Sequence, residues 1–191
     1  MKSLVVATGN PGKLEEIKAY FEGLDINFLP KPPELDVEET GDTFVENACL
    51  KASEVAKATG EWAIADDSGL SIDALNGAPG IYSARYGNTD TERIERVLKE
   101  LGDEENRRAH FVCAIALADP SGNIALSSEG ICPGEILHAP RGNSGFGYDP
   151  IFYLPQYQRT FAEFTPEMKH NLSHRGEAFK LFLPQFRQLW L

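Results

Sequence analysis

The sequence predicts a mixed α/β fold, and three observations carry that reading. An apolar run at residues 3–8 (Ser-Leu-Val-Val-Ala-Thr) passes directly into a helix-start pattern. A second apolar run, residues 62–65 (Trp-Ala-Ile-Ala), follows a segment whose apolar residues recur at helical spacing. A third, residues 108–119, is apolar on both faces and is followed, after a Pro-Ser-Gly-Asn turn, by residues 124–131. Short apolar runs bounded by turn residues read as buried strands. The last two form an antiparallel pair, so the sheet is mixed, and a strand apolar on both faces is covered on both.

The remaining elements follow in order. Asn10 is a good N-cap and Pro11 suits the first helical position, with Leu14, Ile17 and Phe21 on the apolar face and Gly23 at the stop. Residues 26–29 make a short strand, and Pro30, Pro32 and Pro33 then enforce an extended loop. Thr43 and Glu46 form a capping-box pattern for a helix ending near Gly60, with Phe44, Ala48, Ala52 and Val55 inward. Within this helix, Glu46, Asn47 and Lys51 read as capping and a solvated face. Residues 70–75 alternate as a strand, and Asp90 or Thr91 starts a helix with Ile94, Val97, Leu98 and Leu101 on its apolar side. A short helical turn from Thr165 reaches Lys169, and Ser173 caps a last helix that buries Phe179, Phe182, Leu183 and Phe186.

The chain has 191 residues, which fits one domain of ordinary or slightly large size or two small lobes, and a formal net charge of −11. Such a surface does not hold nucleic acid by general electrostatics, so an anionic ligand must be gripped locally. No apolar run approaches a membrane span, and Met1, Lys2 and Ser3 lead into a strand without a signal-peptide pattern. Cys49, Cys113 and Cys132 are scattered, as expected of buried thiols in a reducing cytoplasm.

Several stretches carry chemistry. The turn Thr8, Gly9, Asn10, Pro11, Gly12 and Lys13 joins a strand to a helix N-terminus, a ready anion site with a lysine beside it. It is not a Walker A loop, because its glycines are three apart and Leu14 follows the lysine. Glu38 and Glu39 lie on a loop before a helix with no local partner. Asp66 and Asp67 end the apolar run at 62–65, where open α/β sheets bind ligands. Adjacent carboxylates repel, and a divalent cation relieves them; the alternative is an ordinary Asp-Asp-Ser-Gly turn. Phe146, Gly147, Tyr148 and Asp149 close a glycine-rich stretch suited to a flat ligand. His174 and Arg175 fall in a first helical turn, where the helix dipole disfavours cations, and with Lys169 they point to an anionic ligand. Basic groups for phosphates, carboxylates for a hard metal and aromatics for a base are the parts of a nucleoside triphosphate site.

These stretches resemble the motifs of the inosine/xanthosine triphosphate pyrophosphatase family. The matching segments are Ala-Thr-Gly-Asn-x-Gly-Lys at 7–13, Glu-Glu-Thr-Gly at 38–41, Glu-Asn-Ala-x-x-Lys-Ala at 46–52 and Ala-Asp-Asp-Ser-Gly-Leu at 65–70. Gly-Ala-Pro-Gly-Ile-Tyr-Ser-Ala-Arg-Tyr at 77–86, Phe-Gly-Tyr-Asp-Pro-Ile-Phe at 146–152 and Lys-x-x-x-Ser-His-Arg-Gly at 169–176 complete the set. The resemblance implies one pyrophosphatase domain over 1–191, an elongated twisted sheet flanked by helices, and two lobes with the active-site cleft between them. It implies a cytoplasmic homodimer that requires Mg2+ and binds neither membrane nor nucleic acid. The implied reaction hydrolyses ITP, dITP and XTP to the monophosphate and pyrophosphate. Thr8, Gly9, Asn10, Pro11, Gly12 and Lys13 would hold the triphosphate. Asp67 would bind metal and accept the proton of the attacking water, with Glu38 or Glu39 assisting the metal. Ser68 would contact substrate, and Phe146, Gly147, Tyr148, Asp149, Lys169, His174 and Arg175 would enclose and read the purine.

Overall fold

A computed structural model describes residues 2–190; Met1 and Leu191, the ends of the expected 1–191 domain, lie outside the described residues. Seven strands form one sheet in the order β2-β1-β3-β4-β5-β6-β7. They are β1 (Lys2–Val6), β2 (Ile26–Pro30), β3 (Trp62–Ile72), β4 (Arg108–Ala118), β5 (Ile124–Ile136), β6 (Phe152–Leu154) and β7 (Arg159–Thr160). β1 pairs parallel with both β2 and β3, while β6 pairs antiparallel with β5 and β7. The sheet is therefore mixed. Five α-helices accompany it: α1 (Pro11–Tyr20), α2 (Phe44–Thr59), α3 (Asp90–Leu101), α4 (Pro166–Leu172) and α5 (His174–Trp190).

The chain divides into two compact units, and the division falls between Asp67 and Ser68 on β3. The first unit runs up to Asp67 and adds Cys113–Gly130 and the chain from Ala178 onward. Its inner strands β1, β3 and β4 bury both faces, and their side chains alternate between two cores. Leu4, Val6, Ile64, Cys113, Ile115 and Leu117 meet Ile17 and Phe21 near α1 and Phe179, Phe182 and Phe186 of α5. Val5, Ala7, Ala63, Ala65, Ala114, Ala116 and Ala118 meet Ala48, Ala52, Val55 and Ala56 of α2. One face is thus built from large rings and the other almost wholly from alanine, which admits α2 close to the sheet. The α2 ends follow the sequence: Thr43 and Glu46 close the capping box, and Gly60 ends the helix at φ 69°.

The second unit comprises Ser68–Val112 and Ile131–Glu177. Its core gathers Leu70, Ile72, Ile94, Val97, Leu101, Phe111, Phe152 and Phe161. Three local expectations need correction. β3 does not stop at Asp66 but continues for 11 residues through Ser68 and Gly69 to Ile72, because Leu70 and Ile72 carry the buried alternation onward. Only a 3₁₀ turn at Asp73–Leu75 follows, where a strand to residue 75 was expected. β5 extends past 131 to Ile136: Cys132 and Ile136 stay buried around Pro133, and Gly134 leaves room for the Phe152 ring, which would stand 2.6 Å from an added Cβ. α3 starts at Asp90, one of the two expected starts, with Thr89 as its cap, whose hydroxyl accepts from Glu92 N at 3.1 Å.

No helix among the described residues is long and apolar enough to cross a membrane. None of the three cysteines is in a disulfide, and burial pushes the Cys132 thiol up to about 12.

Candidate active site

Continuation of β3 through the aspartate pair decides what each aspartate can do. Successive residues of a strand point to opposite faces. Asp66 shares the face of Ile64 and receives the Lys13 ammonium at 3.1 Å and the Cys113 thiol at 3.6 Å. Asp67 shares the face of Ala65 and meets Lys51 of α2 at 2.9 Å. The same Lys51 ammonium reaches Glu39 at 2.7 Å.

Lys51 is the residue that sequence reasoning missed. The sequence places it on a solvated face, yet its side chain is only 15% exposed and bridges two carboxylates. Its helical position alone does not reveal this: Lys51 lies one turn after Ala48 and directly before Ala52, which line the alanine interface. The acidic pair at 38–39 is split by the fold. Glu39 joins the cluster, whereas Glu38 is exposed.

The cluster holds three carboxylates (Asp66, Asp67, Glu39) against two ammonium groups (Lys13, Lys51). Burial pushes the Asp67 carboxyl above its ordinary value, and the pull of Lys51 and Lys13 does not cancel this. Burial alone would lower Lys51, but the surrounding Asp67, Asp66 and Glu39 hold it above the usual lysine value. Asp67 Oδ2 is buried and has no hydrogen-bond partner among the described residues. A buried carboxylate oxygen left in this state carries a large desolvation cost. An oxygen-seeking cation would relieve that oxygen, and Asp67 and Glu39 are the carboxylates that could hold it. No group of three or more His, Cys, Asp or Glu among the described residues is arranged to hold a metal ion.

The 8–13 turn is folded as the sequence predicts, with a consequence for its donors. Asn10 Oδ1 accepts from Gly12 N at 2.9 Å and Lys13 N at 3.2 Å, while Thr8 Oγ1 accepts from Asn10 N at 3.1 Å. Pro11 has no N–H to offer. Gly9 and Asn10 are exposed, as is Pro11, so the turn remains accessible.

In the second unit, Lys169 and Asp149 form a buried ion pair at 2.6 Å. Asp149 also accepts from Phe146 N at 3.0 Å, and the Lys169 ammonium lies 4.3 Å from the centre of the Phe146 ring. Arg175 is 1% exposed and donates to Ser68 Oγ at 3.2 Å. His174 stacks on Phe111, with ring centres 4.6 Å apart and planes 13° apart. Tyr148 is spent on the core: its ring is buried, its hydroxyl donates to the Ser83 carbonyl at 2.7 Å, and burial pushes its titration well up. The candidate residues thus fall into two sets. Thr8, Gly9, Asn10, Pro11, Gly12, Lys13, Glu38, Glu39 and Asp67 belong to the first unit; Ser68, Phe146, Gly147, Tyr148, Asp149, Lys169, His174 and Arg175 belong to the second.

The glycine loop depends on a missing side chain. Gly145 sits at φ +78°, and an added Cβ would collide with the Asp149 carboxylate. Gly23 has φ +83° with open space around the same position. Both Gly→Ala variants carry backbone strain of about 1–2 kcal/mol. Gly145→Ala should lower the melting temperature clearly more than Gly23→Ala, and equal shifts would show that the loop yields at no cost.

Fold and site define a mixed α/β protein organised around a buried carboxylate–lysine cluster on its third strand. The Ham1 family model matches residues 4–185, and the chain belongs to the Ham1 family. A dITP/XTP pyrophosphatase from a Nostoc species is 68% identical over 184 residues, covering 96% of this chain and 94% of the relative. One from a Synechocystis species is 59% identical, covering 97% of this chain and 96% of the relative. The structure of a HAM1 protein from Coxiella burnetii superposes with a TM-score of 0.89 at 46% identity, over 98% of this chain and 100% of that one.

Proposed function

We propose that this protein hydrolyses non-standard purine nucleoside triphosphates, namely dITP, XTP and ITP, to the monophosphate and pyrophosphate. The relatives that carry the name dITP/XTP pyrophosphatase support the substrate class. The observation that carries the chemistry is the buried Asp67 oxygen without a partner, beside Glu39 and Lys51. Mg2+ is the proposed cofactor, held by Asp67 and Glu39. When bound, it would neutralise charge on the phosphates and make a coordinated water more acidic.

The chain's own groups supply the rest. Asp67 accepts the proton of the water that attacks the α-phosphorus; a carboxyl raised by burial is a better base than a free one. Lys13 and Lys51 compensate the charge of the triphosphate, and the 8–13 turn positions it. Ser68, Phe146, Gly147, Tyr148, Asp149, Lys169, His174 and Arg175 form the base-reading set, with Tyr148 acting through its backbone and the core. Inosine and xanthine present a carbonyl at purine position six where adenine presents an amine. A donor such as Lys169 or Arg175 can give a hydrogen bond to the carbonyl and meets a fellow donor in the adenine amine, which discriminates strongly. The protein acts as a single pyrophosphatase domain in a cytoplasmic homodimer, apart from membranes and nucleic acid.

The test is a panel of dITP, XTP, ITP, dGTP and dATP, with product identification, in Mg2+ and in EDTA. Pyrophosphate is expected from the first three only when Mg2+ is present, at least about a hundredfold faster than from dATP. Equal turnover of all five removes the specificity. Orthophosphate as product makes the protein a stepwise phosphatase, and tight binding without any product makes it a nucleotide-binding protein.

A further inference from the structure

We infer that Asp90, at the start of α3, is a positioning residue for base recognition. Its carboxylate accepts the Gly147 N–H at 2.8 Å on Oδ2, 57 residues away in sequence. Its other oxygen, Oδ1, receives Arg93 Nη1 at 2.7 Å, and Arg93 Nε donates in turn to the Gly87 carbonyl at 3.0 Å. Asp90 is therefore oriented from behind by an arginine that is itself anchored to backbone. Gly87 is required there, since a Cβ would stand 2.9 Å from Arg93 N.

The other end of this chain of contacts is the Phe146 ring. The Phe146 N–H is held by Asp149, and the next N–H, that of Gly147, is held by Asp90. Two successive peptide groups are thus fixed by carboxylates from different elements, which sets the direction of the intervening side chain. Gly147 has φ +61° and open space where a side chain would be, so it contributes no packing and its hydrogen bond does the anchoring. Without Asp90, the loop keeps the Asp149 contact and loses the one that fixes Gly147. The inference rests on the reading that Phe146 and its neighbours face the purine.

A purely structural role is the competing explanation, because a carboxylate in the first turn stabilises a helix. Thr89 separates the two. Its hydroxyl caps the same helix end, accepting from Glu92 N, whereas the hydrogen bond to the glycine loop comes from Asp90. Asp90→Ala, Asp90→Asn, Thr89→Ala and Phe146→Ala are compared for kcat and KM on XTP, dITP and dGTP, alongside thermal melting. Asp90→Ala should raise KM for XTP and dITP about tenfold with kcat changed less than about twofold, and should narrow the preference over dGTP. Asp90→Asn should recover most of the loss, since an amide oxygen still accepts from Gly147. Thr89→Ala should lower the melting temperature and leave KM unchanged. The inference fails if Asp90→Ala leaves KM unchanged while Phe146→Ala raises it, or if Thr89→Ala reproduces the KM effect. If Phe146→Ala itself leaves KM unchanged, the base-reading assignment fails and takes the role of Asp90 with it.

Discussion

Asp67→Asn should reduce pyrophosphate release by about a thousandfold, the scale on which a positioned base contributes, while nucleotide still binds by calorimetry. The amide can still meet Lys51 through its oxygen, but it neither accepts the water proton nor carries charge for a cation. Asp66→Asn is the parallel experiment. Asp66 faces Lys13, not Lys51, so its loss should weaken binding more than the chemical step. Equal collapse of kcat in both variants would sink the division of roles between the two aspartates. Stability supplies an independent readout. Burial holds the Asp67 carboxyl above its ordinary value, so its ionised form costs stability once pH rises through that raised value. Without added Mg2+ at neutral pH, Asp67→Asn should therefore melt no lower than the parent protein. A substantial fall would show that the carboxylate is a structural asset.

Lys169→Met is expected to have the largest effect on stability. Lys169 and Asp149 are both buried and 2.6 Å apart, and removing one partner of such a pair costs about 3–5 kcal/mol. For a chain of this size that is a fall of about 10 °C in melting temperature. Adding Asp149→Asn should restore part of the loss, because the uncompensated carboxylate disappears. It should not restore nucleotide selectivity, because the ammonium over the Phe146 ring is still missing. An unchanged melting temperature in the single variant would mean that solvent reaches Asp149.

The strands and helices were legible where apolar period and punctuation agreed. The α2 boundaries follow from Thr43, Glu46 and Gly60, and β4 from its doubly apolar run. Errors arose where turn residues sat inside a strand. Ser68 and Gly69 in β3, and Pro133 and Gly134 in β5, are breakers by type, but buried alternation on either side carried the strand through them. The candidate site was legible as a set of residue types and only partly as a set of contacts. Nothing local distinguishes Glu38 from Glu39; the fold pairs Glu39 with Lys51 of α2 and leaves Glu38 exposed. Lys51 itself was hidden because its helical position alone does not say that the facing strand presents alanines and an aspartate. Asp90 was read as a helix start, and its bond to Gly147 spans a sequence separation that no motif covers.

The turn at residues 8–13 is closed on itself: Asn10 already satisfies the N–H groups of Gly12 and Lys13. An anion arriving there exchanges hydrogen bonds instead of adding them, so the net gain per bond is modest, about 1 kcal/mol. The same exchange runs in reverse when the anion leaves, because the side chain of Asn10 can retake both donors as they are vacated. Under the proposed function, in which pyrophosphate leaves after every cycle, a cap that competes with its own ligand would shorten the stay of the product.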